Sequence, residues 1–220
     1  MAQRFCAWLL LLAAGSAYAE PYAPDIREFS RTDVLDFAGH SAFNLGRQST
    51  LELWVAAGWQ QDPGYDPVVI YNEGDNQLLY ALSVLGDRSG LALQSGEQVD
   101  ELPFAFSDGQ LHHVVLVSLA DGVVLMVDGQ VIGQFELKLP DQPSTALHLG
   151  SAANAQAAFT GALGGLRIWR IAVQRESLVA YALADAFDAI HPHPDLEDLA
   201  AYSDLHNDTL ELLLQKEDTR

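Results

Sequence analysis

Three groups of residues in this chain have types and spacings that could do chemistry. The first is an oxygen-rich turn. Asn72-Glu73-Gly74-Asp75-Asn76 sets carboxylates and amides around a glycine, which is the donor set calcium takes in a flexible loop. The same composition suits an ordinary solvated turn, where Asn, Asp and Gly tolerate left-handed backbone, and the spacing is not that of an EF-hand. The second group is aromatic. Trp59 and Tyr65 flank the polar loop 60–64, and Tyr71 ends a β-branched run. Such rings can stack on the C–H faces of a sugar, whereas Trp54 and Trp169, inside strand-like runs, read as packing. The third is the pair His112-His113. Neighbours on a strand point to opposite faces, so the two cannot share a metal. One is expected beneath the sheet with its ring nitrogens bonded, the other in solvent.

Catalytic patterns are sparse by comparison. Glycoside hydrolysis takes two carboxylates at a set separation, but Glu52, Glu73 and Glu136 each stand among apolar or neutral neighbours. The Gly-x-Ser-x-Gly turn of serine hydrolases is absent from the sequence. Cys6 is the single cysteine and lies in the apolar N-terminus, so neither a disulfide nor a thiolate is expected in the folded part. The chain reads as a non-enzyme.

That N-terminus has the three-part layout of a secretory leader. Arg4 supplies the positive start, residues 5–14 form an apolar run, and Ala17-Tyr18-Ala19 offers small residues at the positions a signal peptidase reads. The run is shorter than the roughly 20 apolar residues needed to cross a bilayer, and no later segment is expected to span one. Residues 1–19 are therefore expected to be a removed signal and 20–32 a lead into the domain, with the product periplasmic or extracellular. Thirty acidic against eleven basic residues give a net charge of −19. Such a surface repels nucleic acid and anionic headgroups, which excludes those partners; the remaining partners are a glycan or an extracytoplasmic protein.

The elements that must position these groups are short strands. Leu51, Leu53 and Val55 alternate with Glu52, Trp54 and Ala56, the period of a half-buried strand. Further strand-like runs fall at 67–71, 78–85, 91–93, 114–119, 123–127, 146–149 and 162–169, separated by Gly, Asp and Asn. Asp128-Gly129 between Val127 and Val131 is a hairpin signal. Short strands without interleaved helices predict an all-β, antiparallel two-sheet sandwich over residues 33–190. A helix is expected over 174–190. Residues 191–220, acidic with two leucine stripes, predict an appendage of two short helices packed on the sandwich.

In order and spacing, several segments resemble the laminin-G-like, concanavalin A-like lectin/glucanase jelly-roll family. They are Leu35-Asp36-Phe37-Ala38-Gly39, Phe43-Asn44-Leu45-Gly46, Thr50-Leu51-Glu52-Leu53-Trp54-Val55, Ser107-Asp108-Gly109-Gln110-Leu111-His112-His113 and Leu147-His148-Leu149-Gly150-Ser151, followed by the run from Phe159 to Trp169. The resemblance implies two antiparallel sheets, a binding role and often a calcium ion tying the chain's ends together. Gly164-Gly165 replaces the acidic residue common before the family's final strand, which removes one hard oxygen ligand. Another stretch, Asp204-Leu205-His206-Asn207-Asp208-Thr209, resembles the metal-binding opening of zinc membrane dipeptidases. It is read instead as a helix N-terminus capped by Asn207 or Asp208, and His191-Pro192-His193 as a linker.

The expected function is an exported, non-catalytic module that recognises a glycan or a protein. The alternatives are a glycan-cleaving enzyme on the same fold and an envelope assembly protein acting through its C-terminal helices. The leader makes a direct statement about the secreted product: intact mass and N-terminal sequencing should show a chain starting at Glu20, and retention of Met1 or a different start would refute the assigned cleavage.

Overall fold

The structure, a computed structural model, describes residues 26–46, 48–75, 77–152, 156–182, 187, 192–205 and 209–213. Its strands are β1 (Ile26–Phe29), β2 (Leu35–Ala38), β3 (Ser49–Ala57), β4 (Val68–Gly74), β5 (Gln77–Val84), β6 (Gly90–Ser95), β7 (Gln98–Pro103), β8 (His112–Leu119), β9 (Gly122–Val127), β10 (Gln130–Phe135), β11 (Ala146–Leu149), β12 (Gly161–Trp169), β13 (Leu199–Ser203) and β14 (Glu211–Leu212), and α1 spans Arg175–Tyr181. They form two antiparallel sheets. The larger runs β10-β9-β8-β3-β12-β13-β14, with β1 also on β12, and the smaller runs β2-β11-β4-β5-β6-β7.

Period-two alternation explains both sheets. From the larger, Leu51, Leu53, Val114, Leu116, Leu163 and Ile168 point inward; from the smaller, Ile70, Leu82, Leu93, Leu147 and Leu149 meet them. Pairing follows the turn chemistry. At the β9–β10 hairpin, Asp128 (φ 49°) and Gly129 (φ 73°) both sit in the left-handed region, as the Asp-Gly signal requires. The exposed edge strand β7 had no apolar run to mark it. In Val99-Asp100-Glu101-Leu102 apolar and polar residues do not alternate; Asp100 and Leu102 share the partly buried face, and Asp100 Oδ2 accepts the Glu136 N–H at 2.8 Å.

Two expectations are corrected. First, β3 is buried on both faces, because the outer face of the larger sheet carries a second apolar cluster of Val115, Val117, Met126, Trp169, Val173, Leu178 and Leu199 beneath the chain's C-terminal part. Second, the helical appendage reduces to one short helix. α1 ends at Tyr181, and the expected continuation through 183–186 and 188–190 lies outside the described residues. Beyond a single 3-10 turn at Leu196–Asp198, the chain enters β13 and β14 rather than two helices. The reason is an open edge. β1 covers β12 from Gly161 to Gly164 and β13 covers it from Leu166 to Trp169. Hydrogen bonds to that waiting edge, with burial of Leu199, Ala200 and Ala201, outweigh a weak helical stripe.

The core assignment carries a measurable consequence. Leu163, fully buried, should lose about 2–5 kcal/mol of stability on replacement by alanine. The Val131→Ala change, at an exposed site, should stay within about 0.5 kcal/mol. Urea denaturation of the two variants checks this, and equal losses would contradict the packing.

Candidate functional site

The outer face of the larger sheet holds the densest polar chemistry. Glu52 on β3, His113 on β8, and Arg167 and Trp169 on β12 converge there, each at most 5% exposed. Glu52 Oε2 lies 2.9 Å from His113 Nε2, and the Trp169 indole N–H donates to its other oxygen. Trp54 stacks on His113 at 4.6 Å, with the Arg167 guanidinium 5.2 Å from the Trp54 ring centre. The C-terminal part closes this cluster. Arg167 donates to the Tyr181 carbonyl at 3.2 Å, and His193 packs 4.3 Å from Trp169 and 4.7 Å from Tyr181. Burial pushes the Glu52 carboxyl up, but the His113 hydrogen bond and the neighbouring imidazole and guanidinium pull it further down, leaving it below the ordinary value. Burial likewise lowers the His193 ring, whose Nδ1 accepts the Asp195 N–H at 3.1 Å. Both Glu52 oxygens are bonded and covered, so the cluster fastens the C-terminal segment down and offers nothing to a ligand. His193, read as part of a linker, is one of its anchors.

His112 corrects the expectation that one histidine of the pair faces solvent, since both are buried. On the inner side at the sheet's rim, it is gripped by Asp128 at Nδ1 (2.7 Å) and Asp108 at Nε2 (3.1 Å), and packs edge-on against Phe104 and Phe106. Burial lowers its pKa, but the two carboxylates more than reverse this and hold it above the ordinary value.

The residues singled out from sequence are dispersed. Trp59 is buried, donates its indole N–H to the Gly86 carbonyl at 2.7 Å and meets Phe159 edge-on, so its faces are not open for stacking. Tyr65, half-buried, bonds the Ala158 carbonyl at 3.2 Å and lines a cavity of about 450 Å³ with Asp62, Asp66, Asp87 and Glu101. Asn72 points inward, donating to the Phe43 carbonyl at 3.1 Å and accepting from Ser144 Oγ. Glu73 lies on the outer face of β4, Asp75 is exposed in the turn at φ 50°, and Asn76 is outside the described residues. These oxygens diverge. Gly164 and Gly165 sit within β12, and no group of three or more His, Cys, Asp or Glu among the described residues is placed to hold a metal ion. Of the turn's candidate ligands, Asn72 is thus spent on internal hydrogen bonds.

Tyr71 and Glu73, by contrast, come together with two residues that sequence reasoning missed. In register across the smaller sheet, His148 stands between Asp36 and Tyr71. Its Nδ1 lies 2.6 Å from Asp36 Oδ1, its Nε2 3.8 Å from Glu73 Oε1, and its ring centre 6.0 Å from that of Tyr71. Burial and the Glu73 charge raise the Tyr71 pKa. The signal was present as single polar residues inside apolar strands, in Leu35-Asp36-Phe37 and Leu147-His148-Leu149, where alternation puts Asp36 and His148 on the outer face.

The profile of the concanavalin A-like lectin/glucanases superfamily matches residues 29–178, and the chain belongs to that family. No curated protein matches the sequence. Among solved structures, the chain is similar to a native heptameric SAP-like pentraxin from Limulus polyphemus (15% identity, 86% of this chain and 92% of that one, TM-score 0.55). It is similar to a putative carbohydrate binding protein from Bacteroides ovatus (15%, 80% and 50%, 0.56). Domain 4 of an extracellular arabinanase from Geobacillus stearothermophilus, solved with arabinotriose, also resembles it (15%, 70% and 75%, 0.56). At these identities the likeness is one of fold. No helix among the described residues is long and apolar enough to cross a membrane.

The gripped His112 gives a pH dependence with a definite sign. Its folded-state pKa lies above the ordinary 6.5, so its stabilisation is fully present below 6.5 and is lost as pH rises through the raised value. The native chain should therefore exceed a His112→Gln variant in Tm most in mild acid, with the gap closing as pH rises. A gap that widens with pH would contradict the assignment. Comparison with the variant cancels the opposite contribution of His193, whose lowered pKa destabilises the fold as pH falls.

Proposed function

We propose that the chain is an exported, non-catalytic module that binds a glycan outside the cytoplasm. One observation carries the reading. Of the two outer faces of this lectin-like sandwich, the larger sheet's is covered by the chain's own C-terminal part, while the smaller sheet leaves Tyr71 and Glu73 half-exposed beside His148. An aromatic ring next to carboxylate and imidazole groups is the equipment for a sugar, whose C–H face stacks and whose hydroxyls form hydrogen bonds. The named ligands of similar structures, a carbohydrate and arabinotriose, support the same class, and the leader supports export.

Two competing readings have less support. A protein partner would favour a contiguous apolar patch, and the reading as a protein-binding module has no similar structure with a named protein ligand behind it, whereas the glycan reading has two with a named carbohydrate. For catalysis, the strands lack the alternating carboxylates of a glucanase. The mature protein should retain soluble oligosaccharides and be retarded by polysaccharide in affinity electrophoresis, with no release of reducing ends. Product formation that persists through stringent repurification would overturn the non-catalytic assignment.

A further inference from the structure

The His148 side chain is held for a purpose that its own fold does not meet. Asp36 is an acceptor at 2.6 Å, so Nδ1 carries the proton, and in the neutral ring Nε2 is left as an acceptor. That atom is buried and has no hydrogen-bond partner among the described residues, and His148 as a whole is 9% exposed. Buried polar atoms are normally satisfied. Glu73 Oε1, itself an acceptor, stands 3.8 Å away, beyond hydrogen-bond range. Two acceptors facing each other at that distance call for donors between them. Vicinal hydroxyls supply two, one to the imidazole and one to the carboxylate.

The surroundings suit a ring carrying such hydroxyls. Tyr71 is half-exposed and directly beside His148 in register, with the ring centres 6.0 Å apart. Next to it on the same face, Ala81 and Ala92 are small and only 4% and 6% exposed. The charge at this place is negative, from Asp36 and Glu73 on a chain of net charge −19. A sugar carboxylate would meet like charge in a partly desolvated site.

Resting on the glycan reading, we propose that Tyr71, Glu73 and His148 on the outer face of the smaller sheet form the sugar-binding site, and that it takes a neutral sugar with vicinal hydroxyls in preference to an acidic one. Asp36 is a positioning residue, fixing the imidazole so that Nε2 faces the ligand.

Titration calorimetry with arabino-, xylo- and cello-oligosaccharides, and with oligogalacturonate as the acidic member, tests the proposal on the mature protein. At least one neutral oligosaccharide should bind and oligogalacturonate should not. Tyr71→Ala and His148→Ala should each weaken the neutral ligand about tenfold or more, a loss of about 1.4 kcal/mol. Tyr65→Ala, in the separate acidic cavity, should change affinity less than about twofold. Should His148→Ala unfold, Tyr71→Leu and NMR of the native chain replace it: the His148 ring signals must shift on adding the sugar. Neutral binding that survives Tyr71→Ala with unmoved His148 signals overturns the site but leaves the glycan function standing. Preference for oligogalacturonate overturns the selectivity. Failure of every glycan removes the function itself.

Discussion

Strand β12 is buried along its whole length, so each of its backbone N–H and C=O groups must find a partner within the protein. One edge is met by β3 over eight residue pairs. The other is shared end to end by β1 at the start and β13 at the finish. This requirement brings a segment from the far end of the chain back to the middle of the larger sheet. Once there, it must cross that sheet's outer face, and the apolar and polar layers beneath it follow.

The polar layer is costly unless complete. A carboxylate as buried as Glu52 is tolerable only when both oxygens are bonded and opposite charge is near, which His113, Trp169 and Arg167 provide. Each of these side chains is in turn packed by an aromatic ring or bonded to the C-terminal part. The cluster thus ties three neighbouring strands to the segment that covers them. Its perturbed groups have the chemistry of an active site, yet the completeness of their bonding marks them as structural.

The two faces consequently differ in kind. On the larger sheet Glu52 is bonded through both oxygens, to His113 and Trp169. On the smaller sheet Tyr71 and Glu73 are half-exposed on the outer face, and His148 is bonded through Nδ1 but, among the described residues, not through Nε2. The fold alone serves many roles, so function has to be argued from the site.

Alternation and turn chemistry are local properties, and they made the all-β class, most strand positions and the Asp128-Gly129 hairpin legible from sequence, as the resemblance did the family. The same locality hid the rest. A strand's period tells which residues share a face but not what covers it, so β3 read as half-buried and Trp59 as a loop platform. The leucines after residue 195 fit a helix as well as a strand, until the open edge of β12 decided between them. Tyr71 and Glu73 were visible as candidates, but for different sites. Their meeting with Asp36 and His148 depends on β2 and β4 flanking β11, a long-range pairing that spans about half the chain. Composition and period decide which surfaces a chain can bury; which side chains meet across those surfaces is settled only when distant edges pair.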